Sequence, residues 1–114
     1  MMQSSTGIGL ANAFMNHVTE WQLVQAYMRL FLKPEKDGDS RFVSLAHIGA
    51  FELRMCEASN GHLKEAFPLW LELYSHESRH AIERCGCHEF GEAALIADEL
   101  ISYARDIDRR SMRG

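Results

Sequence analysis

Apolar residues recur along this chain at intervals of three and four, the spacing that lines one side of an α-helix. Phe14, Val18, Trp21, Val24, Met28 and Phe31 predict a first helix over about Leu10 to Leu32. Within it, Thr19 and Gln22 have the spacing of a capping box, which offers a second possible start. Pro34 ends this helix, and Lys33 to Asp39 reads as a polar linker. Phe42, Leu45, Ile48, Met55 and Cys56 predict a second helix from about Arg41 to Ala58, stopped by Ser59-Asn60-Gly61. Pro68 suits the first turn of a third helix carrying Leu69, Trp70, Leu71, Leu73, Tyr74, Ala81 and Ile82, with Gly86 at its end. A fourth, from about Glu89 to Asp108, faces inward with Phe90, Ala93, Ile96, Ala97, Leu100, Tyr103, Ala104 and Ile107. The expected fold class is therefore all-α: an antiparallel four-helix bundle or a close variant, complete in one chain or completed by dimerisation. Residues 1–9 are expected to be a flexible lead-in, 10–110 a single helical domain and 111–114 a flexible tail.

The chain has 114 residues and 46% hydrophobic content, enough for one domain with a core of its own. Sixteen acidic residues against twelve basic ones give a net charge of −4, which speaks against a nucleic-acid partner held by a basic surface. The sequence holds neither an apolar run of membrane-spanning length nor the basic and apolar start of a secretory signal, so no membrane association and a cytoplasmic location are expected. Three cysteines, two of them only two positions apart at Cys85 and Cys87, suit reduced thiols better than disulfides.

The string with the most chemistry is His76-Glu77-Ser78-Arg79-His80. On a helix its two imidazoles would share one face and could hold zinc, with Glu77 as general base on a metal-bound water. It resembles the H-E-x-x-H of zinc metallopeptidases over these five residues, although Ser78 and Arg79 stand where those enzymes carry uncharged, mostly apolar residues. Cys87, with Cys85 and His88 beside it, could complete a tetrahedral set, and its place before the fourth helix would favour a thiolate. The helical wheel also places Glu77, Glu52 and Glu20 on apolar faces. Inward carboxylates with Glu77-x-x-His80 resemble the dimetal site of ferritin-like bundles, and His76-x-x-x-His80 resembles the pattern of hemerythrin-like bundles. A second Glu-x-x-His and a further His on the last helix are missing from these patterns.

The leading functional expectation is a small helical protein that works by protein–protein contact as an adaptor or regulator, with itself or another protein as partner and no cofactor. Its alternative is a metal-binding bundle holding zinc or iron, with His76, His80, Glu77 and Cys87 as the candidate ligands. Whether the inward carboxylates are neutralised by metal, by arginine or by water separates the two.

Overall fold

The computed structural model describes residues 18–38, 40–57 and 69–113. Chain order is α1 (Glu20–Leu32), β1 (Glu35–Asp37), β2 (Ser40–Ile48), β3 (Phe51–Cys56), β4 (Leu69–Ser75), β5 (His80–Cys87) and α2 (Phe90–Arg113). The five strands form one antiparallel sheet in sequential order β1-β2-β3-β4-β5. Both helices pack on the same face of it and touch each other, with Tyr27 edge-on to Phe90 at 5.7 Å.

This overturns the all-α helical bundle. The span expected as the second helix is the β2–β3 hairpin, and the span expected as the third is the β4–β5 hairpin. The reason lies in a period of two. Phe51, Leu53 and Met55 alternate with Glu52, Arg54 and Cys56, and Leu69, Leu71 and Leu73 alternate with Trp70, Glu72 and Tyr74. A strand sends each set to its own face. The first members of each pair of sets meet the helices and form the core with Val43, Leu23, Leu30, Ala93, Ala97 and Leu100. Alanines at 93, 97 and 104, all fully buried, let α2 lie close to the sheet.

The two outer helical segments are helical as the spacing predicts. Helix α1 begins at Glu20 rather than near Leu10: Thr19 is its N-cap, the Gln22 amide donates to the Thr19 hydroxyl, and the Gln22 side chain accepts from the Thr19 amide. Helix α2 runs to Arg113, beyond the end expected for the fourth helix. The lead-in at 1–9, the stretch 10–17 and the Ser59-Asn60-Gly61 stop lie outside the described residues. No helix among the described residues is long and apolar enough to cross a membrane.

A bulge and a tight turn decide which side chains of β2 and β3 share a face. In β2 the pairing with β3 shifts between Ser44 and Ala46, so Leu45 is a bulged residue. Before the bulge Val43 opposes Met55 on the core side; after it Ala46 and Ile48 take that side, and His47 falls opposite Glu52 on the other. The β2–β3 turn is two residues long, with Gly49 at φ 58°. Glycine suits this backbone region, which disfavours a Cβ, and a Cβ there would also push the Asp108 carboxylate of α2 aside.

Candidate functional site

The face of the sheet away from the helices carries an ion-pair network among its strands. Glu52 and Arg54 alternate along β3 and are only 4% and 6% exposed. Burial of two charges is tolerated when each is paired and hydrogen-bonded, and here they pair with each other. Arg54 Nε donates to Glu52 Oε1 at 3.1 Å, and its Nη2 lies 3.0 Å from the same oxygen. The guanidinium is also sandwiched between aromatic rings, 3.9 Å from the Phe42 centroid and 3.8 Å from that of Tyr74. Such a cation–π sandwich, desolvated on both sides, holds the side chain in one orientation. Asp37 of β1 adds a more distant carboxylate at 3.6 Å.

Glu52 is the hub. His76 Nε2 donates to its Oε1 at 2.9 Å, and His47 Nε2 lies 3.9 Å from its Oε2. Local structure brings these residues together. His47 precedes the β2–β3 turn, Glu52 follows it, and His76 leaves β4 on the same face. The His76 amide donates to Ala50 O at 2.8 Å, tying the β4–β5 turn to the β2–β3 turn. Burial pushes the Glu52 carboxyl upward, but hydrogen bonds from Ser44, Arg54 and His76 outweigh it and hold the group below the usual carboxylate range.

His76, Glu77, Ser78, Arg79 and His80 are not a helical segment. Residues 76–79 form the β4–β5 turn, closed by the Arg79 amide on Ser75 O at 2.8 Å, and His80 opens β5. His76 and His80 therefore lack the shared helical face on which a zinc pair was expected. His80 instead contacts Ser78 O through Nδ1 at 3.2 Å, and Glu77 is exposed in the turn. Cys87 is fully buried in the core on β5, against Leu69 of β4. Of the four expected ligands only His76 belongs to the cluster that the fold assembles. Glu20 is exposed on α1, so among the three acids placed on apolar faces Glu52 alone is buried, and it pairs with Arg54. His47 had no sequence signal, because the bulge that turns it toward Glu52 leaves no mark on residue spacing.

The expected reactive thiol at Cys87 is also reversed. Burial, then the nearby Glu92 charge, push its thiol up to about 11. Cys56 donates to Glu72 Oε2 at 3.2 Å, and burial with that carboxylate raises it further still; Cys85 is raised by burial, Glu83 and Glu99. Thiolate is the reactive form. Alkylation of native protein at neutral pH is thus expected to leave Cys56 and Cys87 unlabelled, with Cys85 reacting slowly and all three reacting in denaturant. Rapid labelling of Cys87 in the native protein, read by peptide mass, would contradict its burial.

A different kind of surface lies on α1. Leu23, Ala26 and Leu30 face the core, whereas Trp21, Met28 and Leu32 are 66%, 54% and 79% exposed. At 100° per residue, Trp21 and Leu23 project about 160° apart, so α1 is apolar on both its inner and its outer side. A groove runs between this outer side and the bulged part of β2, where Leu45 lines it beside Trp21, Met28 and Leu32. Comparison with known proteins finds no matching family model, no similar curated protein and no similar solved structure.

Proposed function

We propose that this protein works by protein–protein contact, as a small adaptor or regulatory module whose docking surface is the outer side of α1, and that its first partner is a second copy of the chain. An apolar stripe on the outer side of a helix whose inner side already packs on a core is ordinarily covered by a partner. In α1 the stripe of Trp21, Met28 and Leu32 spans nearly the whole helix and has no cover in the sheet it packs on.

The stripe suits a two-fold pairing in particular. Its rims differ: Gln22, Gln25 and Arg29 lie along one, Val24 and Phe31 along the other. When two such helices cross antiparallel about a two-fold axis, each rim meets its own kind. The guanidinium of Arg29 then faces amides that can accept its hydrogen bonds, and Val24 and Phe31 face apolar side chains. Trp21 of one protomer comes over the Leu32 end of its partner, with Met28 near the axis. Aromatic anchors such as Trp21 and Phe31 supply most of the energy in contacts of this kind.

The test is the mass of the full chain in solution by sedimentation equilibrium. A dimer is expected for the native sequence. Met28→Glu, which sets two carboxylates across the axis, is expected to give a monomer with an unchanged circular dichroism spectrum. Leu95→Glu, an equally exposed change on α2, is expected to leave the dimer intact. A native chain that stays monomeric at its highest soluble concentration, or a dimer indifferent to Met28→Glu, rules out this pairing.

A further inference from the structure

The geometry points to a divalent transition-metal site at His47, Glu52 and His76, with zinc the ion it fits best, on the helix-free face of the sheet and independent of the α1 surface. One ligand atom from each of the three residues lies within 4.8 Å of the others, the one such group of three found among the described residues. Two imidazoles and a carboxylate are the donor set of open zinc sites, and nitrogen donors select against calcium and magnesium.

Distances fit an ion after a small closure. Zinc bonds of about 2.0–2.2 Å in a tetrahedral arrangement put neighbouring donors roughly 3.4 Å apart. His76 Nε2 lies 2.9 Å from Glu52 Oε1 and His47 Nε2 lies 3.9 Å from Glu52 Oε2. An ion on one of these oxygens therefore needs the farther imidazole to swing toward it from within 4.8 Å. Both imidazoles have room to turn, since their side chains are 51% and 68% exposed, while the carboxylate between them is 6% exposed. The rigid member is thus the hub and the adjustable members are its flanks. Arg54 is a positioning residue: by gripping Oε1 from within the sheet it fixes the plane of the carboxylate and leaves Oε2 turned toward His47. Carboxylate ligands are commonly oriented in this way by a neighbour that does not touch the metal. With three protein donors the remaining positions face solvent, as in zinc sites that bind a water or an exogenous ligand. In taking up the ion His76 Nε2 gives up its hydrogen bond to Glu52 and His47 Nε2 its contact with Ser44 Oγ, and each coordinating imidazole carries its proton on Nδ1.

The test is calorimetric titration of the chelator-treated full chain with zinc alone, repeated with cobalt(II) to follow the visible bands of the bound ion. One ion per chain is expected. His47→Ala and His76→Ala are each expected to weaken zinc by more than about 100-fold, the upper range for losing only a supporting residue, and together to abolish the cobalt bands. Both rings are on the surface, so both variants are expected to keep the native circular dichroism spectrum. His80→Ala, in the same hairpin, is expected to bind as the native chain does. No zinc binding by the native chain, binding that survives the double His47→Ala, His76→Ala replacement, or equal loss in His80→Ala would each overturn the assignment.

Discussion

Arg54→Ala is expected to lower the unfolding free energy by about 3–5 kcal/mol, the range for stripping one partner from a buried ion pair. The loss comes less from the missing attraction than from what stays behind. Glu52 remains in place, almost inaccessible to water, with its two shortest arginine contacts gone. Phe42 and Tyr74 also lose the guanidinium packed between them. Arg54→Lys keeps the charge but neither the fork nor the flat stacking surface, so it is expected to fall between the two. The effect should depend on pH in a definite direction. Because the Glu52 carboxyl is lowered in the folded protein, the folded state binds its proton less readily than the unfolded state. Its contribution is full above the unfolded carboxylate value, about 4.3, and is lost as pH falls through the folded value. Without Arg54 the carboxylate is no longer held so low and escapes its burden by taking a proton. Urea unfolding is therefore expected to show the widest gap between native and Arg54→Ala protein near pH 7 and a narrower one near pH 4. A gap under about 1 kcal/mol at pH 7, the size of an exposed pair, would mean that the pair is not the buried contact described.

Leu71→Ala is expected to cost about 2–5 kcal/mol, as does emptying a well-packed leucine site in other cores. Leu71 is fully buried at the centre of the core face, between Met55 of β3 and Cys85 of β5. Its neighbours two positions away, Leu69 and Leu73, are 3% and 0% exposed, so each alanine replacement falls in the same range. That equality is diagnostic of a strand. On a helix, residues two apart diverge by about 200°, and three in alternation cannot all face one core. Urea midpoints for the three variants measure this directly. One costly site and two nearly silent ones would contradict the sheet.

Legibility of the fold in the sequence was uneven for physical reasons. Helix α2 carries a long three-to-four repeat of apolar residues, and α1 announces its start through Thr19 and Gln22; both are readable from one chain. Strands β3 and β4 sent conflicting signals. Phe51-Glu52-Leu53-Arg54-Met55-Cys56 and Leu69-Trp70-Leu71-Glu72-Leu73-Tyr74-Ser75 contain no valine, isoleucine or threonine and are rich in leucine, methionine, glutamate and arginine. Intrinsic preference for those residues leans toward helix. Their strict alternation leans toward strand, and pairing across the sheet with burial on both faces settles it in favour of the alternation. The H-E-x-x-H string compounded the error, since it gives a turn the look of a helical metal motif. Of the polar cluster, Glu52 stood out as an acid among apolar neighbours and His76 as a possible ligand, each for a helical reason that does not hold. Arg54 and His47 had no signal of their own, because their roles come from residues in other strands.

The bulge at Leu45 makes the polar face a matter of register as much as of composition. Removing Leu45 would restore regular pairing and leave every face as it is, with Ala46 still opposite Leu53 and His47 still opposite Glu52. Slipping Leu45 into regular alternation behind Ser44 instead would turn His47 into the apolar core and Ile48 out to solvent, with every side chain retained and Glu52 unaltered. Such a slip is therefore a larger chemical change than most substitutions in the strand, although it alters no residue.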